Sequence, residues 1–262
     1  MTSTPLSDVA AGRIIIAGDW HGNTQAALDI ISAAVRHDVA VILQLGDFGF
    51  WKPGSATDRY LDALESACAQ HDLTLLWVDG NHECFPELYK LPVDSATGLR
   101  SVRRRIYHLP RGLRWTWHGR GWMALGGAYS VDRHRRIPGS SWWPEEFVSE
   151  EEAARAIEGG PVDVIVAHDC PDRVDIPGLA APGVFPAAQL ALSEAHREMV
   201  GAVVDSTRPS VLLHGHYHVR YTAARELSGG GRTAIIGLGD DGGLLRNNFV
   251  SLDVRADPSS WV

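Results

Sequence analysis

The sequence has 262 residues, of which 45% are hydrophobic and 21% are charged, so it can bury one substantial core and is too apolar for extended disorder. It has no apolar run of the roughly 20 residues that span a bilayer and no signal-peptide pattern, and its three scattered cysteines fit the reducing cytoplasm. Because a formal net charge of −8 gives no general basic surface for nucleic acid, we expect one globular domain over residues 1–262, with residues 1–11 flexible.

The first part of the chain predicts alternating strands and helices. Residues 13–17, 39–45 and 73–78 are apolar runs typical of strands that are buried on both faces. Residues 23–35 and 56–71 carry apolar side chains at helical spacing, and Asn23 or Thr24 caps the first of these helices. Strand, helix, strand, helix, strand with short connections predicts a parallel sheet with right-handed crossovers.

The rest of the chain predicts shorter elements. Three short runs separated by Gly and Pro, at 106–109, 113–117 and 122–128, favour antiparallel strands. A helix begins at Ser149 with a capping box, another helix covers 186–205, and buried strands cover 162–167 and 211–213. Alternating stretches at 219–227, 233–238 and 249–254 predict further antiparallel pairing. The pattern is α/β, with two sheets and helices outside them.

Five short polar blocks stand at the ends of predicted strands. Side chains just past the ends of parallel strands converge at one edge of a sheet, so we expect the blocks to meet in a crevice there. Their carboxylate, imidazole and amide groups, with no thiolate among them, suit two borderline-hard divalent ions better than a structural zinc. The candidate metal ligands are Asp19, His21, Asp47, Asn81, His168, His216 and His218.

Asp47 and His82 are the candidate catalytic residues. Two ions about 3.5 to 4 Å apart need a shared anionic ligand, and Asp47 stands alone on its loop, so it is the candidate bridge. His82 directly follows Asn81, so its side chain is expected to point to the open side, where an imidazole can protonate a leaving alkoxide. Glu83 or Asp79 could orient it. Any single histidine is more often structural, so the assignment depends on the five blocks occurring together.

The order Asp-x-His, Gly-Asp, Gly-Asn-His-Glu, a strand-end His and Gly-His-x-His resembles the calcineurin-like metallophosphoesterase family. The resemblance runs from Asp19 to His218. It implies a four-layer α/β/β/α sandwich of two mixed sheets flanked by helices, the metallo-dependent phosphatase fold. It also implies two divalent metal ions, Mn²⁺ first, with Fe, Zn, Ni or Mg as alternatives, and hydrolysis of phosphate esters by a metal-bridging hydroxide.

The resemblance also assigns roles position by position, with His82 as the general acid. One ion would be held by Asp19, His21, Asp47 and His218, and the other by Asp47, Asn81, His168 and His216.

Two departures from the family pattern bear on the substrate. Phosphoprotein phosphatases of the family carry an arginine a little after the bridging aspartate and another before the Gly-Asn-His-Glu block. Here no such arginine follows Asp47, and Asp79 occupies the place before Gly80. Both arginines grip the substrate phosphate through charge-assisted contacts that are difficult to replace, so a phosphoprotein phosphatase is a minor alternative.

The loop that joins the strand ending at residue 128 to the following helix is the candidate substrate-binding segment. Its Arg133, Arg135 and Trp142 could hold a phosphate and stack a base or ribose. Equally, its tryptophans could pack onto the protein body while its arginines stay solvated. A second polar loop after residue 238 could also line the cleft, although its Asp240 and Asp241 are more simply turn residues.

Two classes of function stay open. The first is a two-metal phosphoesterase that acts on mono- or diesters of a small phosphorylated molecule or nucleotide, with a DNA or RNA nuclease as an alternative disfavoured by the negative charge. The second is a metal-binding scaffold without turnover, which would have no need of His82. We expect no membrane partner, and the sequence does not determine the oligomeric state.

Overall fold

The structure is a computed structural model that describes Leu6, residues 12–179 and residues 183–261. The prediction that residues 1–11 are flexible falls, apart from Leu6, outside the described residues. The strands are β1 (Arg13–Ala17), β2 (Val41–Gln44), β3 (Thr74–Trp77), β4 (Arg100–Ser101), β5 (Ile106–His108), β6 (Arg114–Trp117), β7 (Arg120–Leu125), β8 (Val164–Ala167), β9 (Val211–His214), β10 (Tyr221–Glu226), β11 (Arg232–Gly237) and β12 (Phe249–Asp253). The α-helices are α1 (Thr24–Arg36), α2 (Ser55–Gln70), α3 (Phe85–Leu88), α4 (Glu150–Glu158), α5 (Ala187–Thr207) and α6 (Leu245–Asn248).

The strands form two mixed sheets of six strands each. The first sheet has the order β12-β1-β2-β3-β5-β4, and the second has the order β10-β11-β9-β8-β7-β6. In the first sheet β1, β2, β3 and β5 are parallel, and one antiparallel strand lies at each edge. The second sheet repeats this plan, with β7, β8, β9 and β11 parallel at its centre.

Three strands pair differently from the sequence prediction. The pattern predicts antiparallel pairing for 106–109, 122–128 and 233–238, and β5, β7 and β11 do have one antiparallel neighbour each. On its other side each strand pairs in parallel, β5 with β3, β7 with β8 and β11 with β9. The prediction is therefore wrong for one side of each strand, because turn spacing shows the hairpin partner and not the partner from a distant segment.

Alternating side chains of the central strands point into different layers. Ile14 and Ile16 of β1 lie in the core between the two sheets, together with Trp122 of β7, whereas Ile15 packs with residues of α1 and α2. In the second sheet, Ile165 of β8 packs with residues of α4 and α5. Each such buried side chain contributes roughly 1.5 to 3 kcal/mol of transfer free energy. The layers run helix, sheet, sheet, helix, so the predicted four-layer α/β/β/α sandwich, the metallo-dependent phosphatase fold, is confirmed.

Two predicted helix starts are confirmed by their caps. The side chain of Asn23 accepts the backbone N–H of Ala26 at 3.2 Å, so Asn23 caps α1. At α4, the Ser149 hydroxyl accepts the Glu152 N–H at 3.2 Å and the Glu152 carboxylate accepts the Ser149 N–H at 2.9 Å, which is the predicted capping box. Across the described residues, the helices are all too short or too polar to be candidates for crossing a membrane.

Candidate metal centre

Four of the predicted ligands form one cluster at the carboxyl ends of β1, β2 and β9. The ligand atoms of Asp19, His21, Asp47 and His218 all lie within 4.8 Å of one another. Nε2 of His21 lies 3.4 Å from Oδ2 of Asp47, and Nε2 of His218 lies 3.1 Å from Oδ2 of Asp19. The side chains of His21 and His218 are 27% and 45% exposed, so we call this cluster the outer half of the centre.

The remaining predicted ligands lie deeper, after β3, β8 and β9, and form the inner half with Asp47. Nε2 of His168 lies 3.4 Å from Oδ1 of Asp47 and 3.0 Å from Oδ1 of Asn81. The ring of His216 lies beside that of His168, with 5.1 Å between ring centroids. His168 is fully buried, and its Nδ1 donates to the carbonyl of Leu45 at 2.7 Å. This bond leaves Nε2 to face Asp47 and Asn81.

Asp47 connects the two halves through its two carboxylate oxygens. Oδ2 faces His21, whereas Oδ1 faces His168 and also accepts the backbone N–H of His82 at 2.9 Å. Burial alone would raise the pKa of Asp47, but the neighbouring His168 and His82, with hydrogen bonds from His168 and His21, hold it well below its ordinary value. Asp47 is thus an anion placed between two ligand sets, the geometry that a bridge requires. The bridging role itself stays a prediction.

The backbone is left-handed at four of the ligand positions. The φ angle is 45° at His21, 50° at Asp47, 67° at His216 and 58° at His218. A non-glycine residue rarely adopts this conformation, which costs on the order of 1 to 3 kcal/mol and is typical of functional sites. The left-handed turns bring residues two apart to the same carboxylate, since the N–H of His216 donates to Asp19 at 3.1 Å and the ring of His218 also faces it.

Glycine is required where the polar blocks touch one another. A Cβ atom on Gly80 would lie 2.1 Å from the backbone nitrogen and Oδ1 of Asp47. A Cβ atom on Gly215 would lie 2.1 Å from Oδ1 of Asp19. Both distances are far inside van der Waals contact, so a side chain at either position would push the metal ligands apart.

Two carboxylates that the sequence interpretation treats as turn residues contact the histidines of the outer half. Asp241, after β11, accepts from Nδ1 of His21 at 2.7 Å and from the amide of Asn23 at 2.9 Å. Oδ2 of Asp240 lies 3.4 Å from Nδ1 of His218. With Nδ1 engaged, Nε2 of each ring faces Asp19 and Asp47, and carboxylates commonly orient metal-binding imidazoles in this way.

In the inner half, the hydroxyl of Ser130 orients the ligand Asn81. This role of Ser130 was not predicted from the sequence. Ser130, in the loop after β7, accepts from the Asn81 amide nitrogen at 2.9 Å, which leaves the Asn81 oxygen facing His168. The hydroxyl of Ser130 donates to Glu146 and accepts from Nη1 of Arg136 at 2.7 Å. Arg136 also pairs with Glu146 at 2.9 Å, so a buried network sets the orientation of the Asn81 amide.

His82 lies beside both halves. Its backbone N–H is held by Asp47, and its imidazole lines an open cleft and makes no hydrogen bond within the described part of the chain. Burial lowers the pKa of His82, Asp47 raises it, and Arg136 lowers it further, with a net lowering. The orientation towards the open side agrees with the sequence expectation, and the role as general acid stays a prediction.

The expected orienting partners of His82 bind elsewhere. The Glu83 carboxylate accepts the N–H groups of Phe48 at 2.7 Å and Phe50 at 2.8 Å, so it holds the loop that carries Asp47. Burial and the charge of Asp47 raise the pKa of Glu83 to about 8, against the lowering effect of these N–H groups. The expectation that Glu83 orients His82 is therefore wrong.

The Asp79 carboxylate likewise binds residues other than His82. It lies 2.6 Å from Nη2 of Arg111, and the ion pair is almost fully buried. His108 lies 2.9 Å from the other oxygen of Asp79. Arg111 also donates to the carbonyls of Glu145 at 2.7 Å and Phe147 at 2.8 Å, so the pair ties the end of β3 to the segment that carries Glu146. The sequence analysis did not identify Arg111.

A cleft of about 380 Å³ opens over His21 and His82. Its remaining lining residues are Trp51, Lys52, Cys84, Arg136, Ser140, Ser141 and Trp143.

The predicted substrate residues Arg133, Arg135 and Trp142 are not among the residues that line this cleft. The guanidinium of Arg133 lies 4.9 Å from the ring centroid of Trp142 and 5.5 Å from that of Tyr129, so it packs on its own loop. Arg135 donates to His134 at 3.2 Å on the surface. The loop reaches the cleft through other residues, and a substrate role for the three stays a prediction.

The donor set fits a pair of divalent ions. Carboxylate, amide and imidazole ligands of this kind bind first-row divalent metals, and seven donors shared between two ions leave coordination positions for water and substrate. Burial lowers the pKa of His216 to about 4, whereas Asp47, against the effect of burial, raises the pKa of His168 to about 9 and that of His21 to about 10. Metal binding at pH 7 would therefore have to displace protons from His168 and His21, because a metal ligand must be neutral imidazole.

Comparison with known proteins agrees with this architecture. A search of curated proteins finds no significant sequence relative. Among solved structures, the Thermus thermophilus protein TT1561 has 15% sequence identity and a TM-score of 0.52, over 93% of this chain and 99% of that one. A dimetal phosphatase from Danio rerio has 15% identity and a TM-score of 0.54, over 91% of each chain. At such identities these likenesses show the fold alone.

The family model described as calcineurin-like phosphoesterase matches residues 12–220. The match covers most of the chain and includes every candidate metal ligand, and both halves of the centre assemble where the parallel strands of the two mixed sheets end. The chain belongs to the calcineurin-like phosphoesterase family.

Proposed function

We propose that the protein is a dinuclear-metal phosphoesterase of the cytoplasm that hydrolyses phosphate mono- or diesters of a small molecule or nucleotide. The observation that carries the proposal is the convergence of Asp19, His21, Asp47 and His218 within 4.8 Å beneath an open cleft. Family membership supports phosphoester hydrolysis, and the three free cysteines agree with a reducing compartment.

The two halves of the centre would hold one ion each, with Asp47 shared between them. Mn²⁺ is the first candidate because the family resemblance implies it, and Fe, Zn, Ni and Mg are alternatives, since mixed oxygen and nitrogen donors do not select one of these ions. When bound, the ions supply an activated water as nucleophile and positive charge that stabilises the phosphoryl transition state. Asp241 orients His21, Asp240 orients His218 and Ser130 orients Asn81, so the chain itself holds the ligands in position.

His82 delivers the proton to the departing oxygen in this proposal. Its ring faces the cleft and makes no hydrogen bond within residues 12–179 or 183–261 that would withdraw it from substrate. Its backbone is anchored to Asp47 at 2.9 Å, which keeps the ring at a constant position relative to the metal ligands. General acid catalysis of this kind contributes roughly 10²- to 10⁴-fold to a rate.

The test is hydrolysis by purified protein loaded in turn with each candidate metal. We expect metal-dependent release of nitrophenol from a chromogenic phosphomonoester or the matching diester, abolished by a chelator and restored by metal. Protein that binds two ions and hydrolyses neither ester, nor any member of a panel of nucleotides, cyclic nucleotides and sugar phosphates, would be a non-catalytic scaffold.

The same assay separates the remaining alternatives. Metal-dependent cleavage of single-stranded DNA or RNA without turnover of small esters would identify a nuclease, which the net charge of −8 disfavours. Turnover confined to phosphopeptides would identify a protein phosphatase.

A further inference from the structure

Trp51 is an exposed tryptophan at the mouth of the cleft. It follows β2 and is 44% exposed, although it lines the same cleft as His21 and His82. Its indole packs against the backbone of Gly22, since a Cβ atom on Gly22 would lie 3.0 Å from the ring. The backbone N–H of Trp51 donates to the carbonyl of Gly49 at 3.0 Å, which fixes the main chain that carries the ring. The ring therefore rests against Gly22 on one side, and its exposed part is open to a ligand.

Lys52 lines the cleft, and its ammonium group pairs with no carboxylate among the described residues. Its side chain is exposed. The charge of Arg136, by contrast, is matched by Glu146 at 2.9 Å, and its other N–H groups are largely engaged by Ser130 and the Ser141 carbonyl. An anion in the cleft would thus be attracted chiefly by Lys52 and by bound metal.

The opposite wall comes from the loop after β7. Trp143 and the hydroxyl-bearing Ser140 and Ser141 line it, and the bond from Arg136 to the Ser141 carbonyl holds this wall in place. The volume of about 380 Å³ is near the lower end of the roughly 300 to 1,000 Å³ range of small-molecule sites. The cleft therefore suits one compact ligand with polar and aromatic parts.

We propose that the substrate is a phosphoester whose organic part carries a planar aromatic ring, as in a nucleoside phosphate, with the ring stacked on Trp51 and the phosphate attracted by Lys52. This inference rests on the proposed function and names the substrate class for the same site. An indole that rests against the backbone of Gly22 loses little conformational freedom when a base stacks on it. Because every base presents a π-face, this recognition tolerates different bases.

The test compares adenosine 5′-monophosphate with ribose 5-phosphate. The two compounds have the same leaving oxygen, so the ratio of their kcat/KM values reports recognition of the base. We expect the nucleotide to be favoured by roughly 5- to 150-fold, the range expected for one stacked base. Trp51→Ala should bring the ratio close to one, and Trp51→Phe should retain most of it.

Tyr89→Ala is the matched control, because Tyr89 is another exposed aromatic residue and does not line the cleft. It should leave the ratio unchanged. Lys52→Ala should lower kcat/KM for both compounds alike, since both carry the phosphate. Metal content and thermal midpoint are measured for each variant to show that the fold and the centre are intact.

The outcomes separate this inference from the proposed function. Equal kcat/KM values for the two compounds, or a ratio that Trp51→Ala leaves unchanged, would overturn the assignment to Trp51 while leaving the phosphoesterase intact. If the metal-loaded protein hydrolyses neither compound, the same pair is titrated calorimetrically. Equal dissociation constants would then reject the aromatic-substrate proposal, and tighter nucleotide binding that depends on Trp51 would support it.

Discussion

The outer and inner halves of the centre lie in different surroundings and differ in one donor, since the outer half has the carboxylate of Asp19 where the inner half has the amide of Asn81. His21 and His218 are partly exposed and are contacted by the carboxylates of Asp241 and Asp240. His168 is fully buried and donates to a backbone carbonyl. Exposure and the exchange of one carboxylate for an amide therefore distinguish the two positions. We expect the outer ion to exchange readily and to meet the substrate, and the inner ion to be retained.

The largest expected effect comes from removing the group common to both halves. Asp47→Asn keeps the shape of the side chain but loses the charge between His21 and His168. We expect loss of the second bound ion and a fall in kcat/KM of about 10³-fold, the equivalent of several kcal/mol. Elemental analysis measures the bound metal, and ester hydrolysis measures kcat/KM. Asp58→Asn, on the exposed face of α2, is the control and should keep both ions. Unchanged metal stoichiometry in Asp47→Asn would remove it as the bridge.

His82→Ala tests the chemistry at the open side without altering either half. We expect a fall of at least about 10²-fold for esters with alkyl leaving groups, because their oxygen needs a proton, and a much smaller loss for nitrophenyl esters. Bound metal should stay at the wild-type level. Equal losses on both kinds of ester would contradict an acid role.

Asp79→Asn probes the support behind the inner half. It removes the closer of the two carboxylates beside the buried Arg111, at 2.6 Å, and leaves that of Glu152 at 3.0 Å. Loss of one partner of a buried ion pair costs about 3 kcal/mol, and the remaining carboxylate reduces this cost. Denaturant unfolding should show a lower midpoint with an unchanged slope. Asp253→Asn is the matched control, because Asp253 pairs with Arg255 at 2.7 Å on the surface, where solvent screens the charges and the midpoint should change much less. Equal losses in the two variants would show that burial of the Asp79 pair has no special weight.

The smallest effects should separate the halves from each other. Ser130→Ala removes the acceptor for the Asn81 amide, and Asp241→Asn removes the charge beside His21. Each variant should lower the affinity for one ion by roughly 10- to 100-fold. Ser130→Ala should affect the tightly bound inner ion, and Asp241→Asn should affect the more weakly bound outer ion. Calorimetric metal titration resolves the two steps, and each variant is the control for the other. If both variants weakened the same step, the division into two halves would be wrong.

The sequence was sufficient to predict the layers and the candidate ligands. Strands such as β1, β2 and β8 are uniform apolar runs that end in a polar block, and a buried parallel strand produces this pattern. Because the ends of such strands meet at one edge, the blocks could be grouped before any contact was known.

The residues that the sequence analysis missed share one cause. Arg111, Ser130 and Asp241 follow β5, β7 and β11, the three strands whose parallel pairing was not predicted. Turn spacing made these strands look like members of hairpins. The loops after β7 and β11 were therefore considered only for substrate binding or as turns, and none of the three loops was expected to orient or support the metal ligands. All eight parallel strands in fact contribute a residue to the centre or to its support.

The basic run at 133–136 shows a different limit. The sequence shows that residues 133–136 are all polar, but it does not show which of their side chains points inward. The structure turns Arg133–Arg135 into a 3-10 turn on the surface and leaves Arg136 extended, with φ of −100°, so that its guanidinium reaches Glu146. A local turn decides this direction, and composition does not encode it.

The pairing of β12 with β1 has a consequence for biosynthesis. In the finished sheet β1 pairs with β12, and Asp19 precedes its partner His216 by 197 residues. A nascent chain that has completed β1 therefore carries an open strand edge until β12 is made, and an incomplete set of ligands until His218 is made. Cation capture by the full set has to wait for His218, and a product terminated before that residue is left to chaperones and proteases.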